Sequence, residues 1–370
     1  NDRVQTKVLG SFTSMQEEFD LGKELEINSS EEANIGTLYA LARAAMKDYV
    51  QIYLELTRNT NALANILPEH VQEFAQKLIV LSGIDSSIDP VASSAEQIVQ
   101  EWRRRQAIPF DVESAITKGV YIQLRDRVEN LLDELEHATK GFIEFDSGYI
   151  QSHPYMLPIL QRLANISSKA ELKRRIGNVS DNTVSEPAAR KIAELLNQQR
   201  PGRTMHRGQI LQSIEPTLEG IVRDLVGRIL LESIVANALA DANVPYKSES
   251  EYRYLEGIVY NFRADFVIPD EISPKAFIEV RKSSSRHASL YAKDKMFSAI
   301  NWKGKNKEML AVIVVDGPWT AETLKVMAKV FDYVVPLNRA SDMAEAISAY
   351  IEGDKSQLKW LIDFSIYPAN

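Results

Sequence analysis

Asp265 and Glu279 are the residues of this chain whose type and setting most invite chemistry. Asp265 interrupts the apolar run Phe262-Arg263-Ala264-Asp265-Phe266-Val267-Ile268, and Glu279 interrupts Ala276-Phe277-Ile278-Glu279-Val280, with Arg281 and Lys282 directly after it. Both runs read as strands. An ionised carboxylate inside such a run costs on the order of several kcal/mol if left unpaired, so it is kept with a counter-ion or a metal. Two of them on consecutive strands suggest a divalent cation. Side chains alternate between faces along a strand, so Glu279 and Arg281 are expected on one face and Val280 on the other.

The elements that must position these groups are legible from about Ile210 onward. Apolar spacing near 3.6 residues predicts a helix over 218–240, and a strand is predicted at 252–255 before the two acid-bearing strands. A helix over 288–300 then precedes the most apolar strand, 309–315, followed by a helix at 321–328, a strand at 333–337 and a helix at 341–351. An antiparallel meander followed by a helical crossover into a buried parallel strand gives an α/β fold: a mixed sheet with helices on both faces.

This order of elements, with Asp on one strand and Glu followed by cations on the next, resembles the PD-(D/E)xK nuclease superfamily, above all its type II restriction endonucleases. The resemblance covers roughly residues 210–351. It implies that Asp265 is the first acid and Glu279 the second, with Arg281 where the family usually has lysine. Ala264 stands in place of the proline of the motif's name. The literal pair Pro269-Asp270 lies at the strand end, which makes Asp270 the alternate.

The resemblance further implies Mg²⁺ as cofactor, held by Asp265, Glu279 and the backbone carbonyl of Val280, with Glu232 on the preceding helix as an auxiliary ligand. An ion pair with Arg228 accounts for Glu232 equally well. Arginine does not lose its proton in proteins, so Arg281 is expected to act electrostatically and not as a base. Lys282 reaches the Glu279 face only through a bulge; Lys293 and Lys295 on the next helix are the other sources of an amine. Ser284 and Arg286, leaving the second strand, suit contacts to a nucleic-acid backbone.

The middle of the chain has a different texture. Between Ser168 and Ile210 there are nine Lys/Arg (Lys169, Lys173, Arg174, Arg175, Arg190, Lys191, Arg200, Arg203, Arg207) against four acids, Glu171, Asp181, Glu186 and Glu194. Such a basic island in an acidic chain suits a confined DNA footprint. Ser168 caps a short helix that Gly177 ends, and a second helix beginning near Val179 would resemble a helix-turn-helix. Asn182, Thr183 and Ser185 are then the base-reading positions, with Arg174, Arg175, Arg190, Arg200, Arg203 and Arg207 on phosphates. Pro187 argues for a later helix start, at Ser185, with the proline in the first turn. Two ordinary helices packed as a hairpin are an equally good account of the motif alone.

The first 160 residues or so read as helical, with segments predicted at 35–56, 67–81, 95–105 and 112–136 and an amino-terminal cap at Ser30-Glu31-Glu32. The expected organisation is an α-helical region over 1–160, a helix-turn-helix-like DNA-reading segment over 161–209 and a nuclease-like domain over 210–370. At 370 residues, 45% apolar and 25% charged, the chain can bury more than one core. It has no cysteine, which excludes thiol catalysis, thiolate metal sites and disulfides. A net charge of −8 confines any DNA contact to local patches. No apolar run approaches membrane-spanning length and no signal-like start is seen, so no membrane association and a cytoplasmic setting are expected; the resemblance implies a prokaryotic one.

Together with these readings, the resemblance implies a Mg²⁺-dependent, sequence-specific endonuclease acting on double-stranded DNA and leaving 5′-phosphate and 3′-hydroxyl ends. Cutting both strands implies a homodimer, and a restriction enzyme implies a cognate DNA methyltransferase. A non-catalytic DNA-binding protein on a degenerate nuclease fold, or a structure-specific repair nuclease, are the alternatives.

Overall fold

The computed structural model describes residues 36–70, 75–84, 88–89, 92–105, 111–198, 207–283 and 288–363. The Ser30-Glu31-Glu32 cap, Arg200 and Arg203, and Ser284 and Arg286 lie outside the described residues. Those described divide into two compact units, 36–49 with 113–228, and 50–112 with 229–363. Among them, no helix is long and apolar enough to cross a membrane.

The helices in chain order are α1 (Thr37–Asn59), α2 (Ala75–Leu81), α3 (Ala95–Arg105), α4 (Val112–Ala138), α5 (Ser147–Ser152), α6 (Leu157–Leu163), α7 (Lys169–Ile176), α8 (Glu186–Gln198) and α9 (Arg207–Asp241). Leu38, Leu41, Ala42, Ala45, Met46 and Tyr49 recur at helical spacing on α1 and are buried. The first free N–H of α1, from Thr37, donates to Asp181 Oδ2 at 2.8 Å, so a buried carboxylate distant in sequence caps this helix.

In the basic segment, Ser168 Oγ accepts the Glu171 N–H at 3.1 Å and opens α7, and Gly177, at φ +110°, closes it. Beyond Gly177 the chain departs from the helix-turn-helix expected there. Val179–Ser180 (β1) and Thr183–Val184 (β2) form an antiparallel hairpin, and α8 begins only at Glu186. Asn182 therefore sits in the hairpin turn, Thr183 opens β2 and Ser185 stands just before α8, none of them on a recognition helix. The reasons are local: Asp181-Asn182 favours a turn, Ser180 Oγ accepts the Thr183 N–H at 3.1 Å, and Pro187 fits a helix only in its first turn.

The second unit holds a five-stranded sheet of order β3 (Lys247–Ser248), β4 (Phe266–Ile268), β5 (Ala276–Lys282), β6 (Leu310–Asp316), β7 (Tyr333–Pro336). The β3–β4–β5 pairs are antiparallel and the β5–β6–β7 pairs parallel. Helix α10 (Ala288–Lys305) makes the crossover from β5 to β6, with α11 (Ala321–Met327) before β7 and α12 (Ala340–Ile351) after it. On one face Val267, Phe277, Ala311, Ile313 and Val315 pack on Ala292, Ala299 and Trp302 of α10. The Phe277 and Trp302 rings meet edge-on at 4.7 Å, a contact worth about 0.5–1.5 kcal/mol beyond area burial. On the opposite face Phe266, Ile278, Val280, Val312 and Val314 are buried as well, so the sheet is covered on both sides.

One predicted strand is absent. Residues 252–255 contribute only a single bridge, Leu255 to Phe262, and the edge of the sheet is β3 instead. The buried Tyr252 hydroxyl accepts the Ala264 N–H at 2.5 Å and donates to the Ala264 carbonyl at 2.8 Å. Those backbone groups are thereby satisfied by a side chain, which removes the demand for a ladder partner there.

Candidate active site

The register of β4 on β5 places the acids. Phe266 pairs with Ile278 and Val267 with Phe277, and the same register continued by one residue sets Asp265 opposite Glu279. Opposed residues of an antiparallel pair share a face, here the face covered by α10. β5 pairs with β6 residue for residue from Ala276 to Lys282, without a bulge. Glu279 and Arg281 therefore share this face while Lys282 lies on the other, which removes the bulge by which Lys282 was to reach the acids.

The Arg281 guanidinium lies between the two carboxylates. Its Nη1 donates to Asp265 Oδ2 at 2.7 Å and to the Val280 carbonyl at 2.5 Å, and its Nη2 donates to Glu279 Oε2 at 2.6 Å. The Val280 N–H adds a 2.7 Å bond to Asp265 Oδ2. From α10, Lys295 Nζ reaches Glu279 Oε1 at 3.3 Å and Oε2 at 3.2 Å. Glu279 is wholly buried and Lys295 is 8% exposed, whereas Arg281 is half-buried. Two carboxyl groups and two cationic side chains thus form one compact cluster.

Burial drives the Glu279 carboxyl up to about 8; Arg281 opposes this, Asp265 adds to it, and Lys295 opposes it. Glu232 on α9 is exposed as a residue, but the protein around its carboxyl partly desolvates it and raises its pKa, with Asp265 adding and Arg281 opposing. Glu232 thus lies in the field of the cluster without joining it: among the described residues no three His, Asp or Glu side chains come close enough together to share a metal. Arg228 pairs with Asp224, at 3.7 Å.

Of the remaining candidates, Asp270 is a turn residue, its Oδ1 accepting the Ile272 and Ser273 N–H groups at 2.9 Å at the far end of β4. Lys293 is exposed, so of the two lysines weighed on α10 the fold brings Lys295 to the acids. An aromatic surface adjoins them, since Lys295 Nζ lies 5.5 Å from the Phe262 ring centroid and Tyr260 stacks on Phe297 at 5.7 Å. Asn301 holds this loop, accepting the Val259 N–H at 2.7 Å and donating to the Tyr260 carbonyl at 2.8 Å. A Cβ at Gly257 would come within 2.0 Å of the Asn301 amide, so the close approach requires glycine. Nothing local in the sequence marked this loop.

The basic segment is less positive than its composition. Lys169 pairs with the buried Asp181 at 3.0 Å, Arg190 with Glu186 at 2.5 Å, Arg175 with Glu171, and Arg207 with Asp133. Lys173, Arg174 and Lys191 are exposed, as are Asn182, Thr183 and Ser185.

The donors Asp265, Glu279 and the Val280 carbonyl are hard oxygens converging on one cation, here the guanidinium, and by donor chemistry the set suits Mg²⁺. No family model matches this chain and no curated protein matches it. A solved structure of the restriction endonuclease PspGI with substrate DNA is similar at a TM-score of 0.26 and 14% identity, over 55% of this chain and 85% of that one. At that distance the likeness identifies neither a family nor a function.

Proposed function

We propose that the sheet-bearing unit is the catalytic part of a Mg²⁺-dependent DNA endonuclease, site-specific in the manner of a type II restriction enzyme. The reading rests on one observation: two carboxylates from neighbouring strands face one another across a single cation position, with an amine alongside. Asp265, Glu279 and the Val280 carbonyl would hold the metal. When bound, Mg²⁺ supplies Lewis acidity and neutralises charge at the phosphate. Arg281, which remains protonated, clamps a phosphate oxygen through its planar fork and stabilises charge that develops there. Lys295, held by Glu279 and roofed by Phe262, offers N–H donors to the same region from a fixed direction. Two-strand cleavage would be carried out by two copies of the chain, and a cognate methyltransferase would protect the host's own sites.

A second reading is favoured by Arg281 itself, since its guanidinium already satisfies both acids, as it would in a degenerate fold that binds DNA without cutting. Plasmid incubated with the protein and Mg²⁺ separates the two. Discrete fragments, lost by about 10²-fold or more in Asp265→Ala and in Glu279→Ala, support the endonuclease; retardation without any cleavage supports the binder. Full cleavage by both variants would remove the site assignment.

A further inference from the structure

We infer that the Arg281 guanidinium is a displaceable resident cation: a divalent metal enters this site only as Arg281 leaves it, and the released fork then serves the phosphodiester. This rests on the proposed nuclease reading and deepens it.

Lone pairs limit how many cations the acids can hold. A carboxylate oxygen offers two in its plane, and a metal needs one of them. Asp265 Oδ2 already accepts from Val280 N–H and Arg281 Nη1, at 2.7 Å each. Glu279 Oε2 already receives Arg281 Nη2 at 2.6 Å and lies 3.2 Å from Lys295 Nζ. The Val280 carbonyl accepts a third bond from Arg281, at 2.5 Å. One guanidinium therefore bonds an oxygen of each of the three groups that would hold a metal, and it is the part of the cluster nearest solvent, at 25% side-chain exposure against 10% for Asp265 and 0% for Glu279. A dication placed on the same oxygens would stand against a like charge in direct contact, so the two cations exclude each other. Lys295 also donates to Glu279 Oε1, at 3.3 Å, an oxygen that Arg281 does not touch, and can keep that contact when Oε2 takes the metal. Metal and phosphodiester binding are then coupled, because a phosphate that draws the fork outward vacates the oxygens, and linkage makes that effect reciprocal.

The test is Mn²⁺ binding, followed by the electron paramagnetic resonance of the free ion at about pH 8.5, where carboxylate ligands are deprotonated. Wild type, Arg281→Gln, Arg281→Lys and the double variant Arg281→Gln/Glu279→Gln are compared after their folding is checked by circular dichroism. Arg281→Gln is expected to bind Mn²⁺ about tenfold more tightly than wild type or better. Arg281→Lys, which lacks the fork, should also bind more tightly, and it carries the test if the glutamine variant does not fold. The double variant should lose the gain. Equal Mn²⁺ affinity in wild type and the folded single variants overturns the inference; if wild type still cuts plasmid with Mg²⁺, the nuclease reading survives that result. Absence of Mn²⁺ binding in all variants, together with absence of cleavage by wild type, overturns both.

Discussion

Glu279 shows what burial and pairing do to a single residue. Its carboxyl is wholly buried and touched by two cations, yet desolvation prevails and lifts its pKa to about 8. Between the ordinary carboxylate range, near 4.5, and about 8 the folded protein retains a proton that the unfolded chain gives up. Stability contributed by this group is therefore full below the unfolded pKa and is lost as pH rises through the folded one, by at most about 1.4 kcal/mol per pH unit. Denaturant midpoints measured from pH 5 to 8 should fall with pH in wild type. Glu279→Gln, which cannot titrate, should flatten the fall; identical slopes would mean that Glu279 is ionised throughout.

At the scale of the element, β5 and β6 owe their place to continuous apolar runs, and α10 to the crossover that a parallel pair demands. A second buried charge pair anchors the neighbouring edge. Asp332 Oδ2 accepts from Lys303 Nζ of α10 at 2.5 Å and from the Ala311 N–H of β6 at 2.8 Å, while Oδ1 takes the N–H groups of Lys359 and Trp360 at 3.0 and 2.7 Å. One carboxylate thus joins helix, strand and carboxy-terminal segment. Asp332→Ala should cost about 3–5 kcal/mol, because it leaves Lys303 buried without a partner. Adding Lys303→Met should restore part of that in equilibrium unfolding, and no recovery would show that the loss lay in the backbone bonds alone.

On the scale of the whole molecule, the hairpin with the exposed Asn182 and Thr183 belongs to one compact unit and the acid pair to the other. If the first unit reads DNA for the second, Asn182→Ala and Thr183→Ala should reduce discrimination between sequences more than affinity for random duplex. Uniform losses across sequences, with a shallower salt dependence, would make these residues phosphate contacts. Four of the segment's cations are tied to acids in the fold, so its field is weaker than a count of arginines implies.

Most helices and four of the five sheet strands are legible in the sequence, because periodicity and apolar runs are local properties; the segment 95–105 keeps the bounds that its spacing predicts. The two-residue β3 is not legible, being too short to carry a pattern, and neither is the hairpin at 179–184, where turn chemistry overrides the apolar spacing. That acids set in strands must have a cation is likewise decided by composition and desolvation alone. Which cation is not: Arg281 closes on both carboxylates only because the β4–β5 register sets Asp265 opposite Glu279, and Lys295 arrives from 16 residues away only because α10 packs on that face. Register and packing are sums over contacts distant in the chain, so they take definite form only when the tertiary structure brings those contacts together.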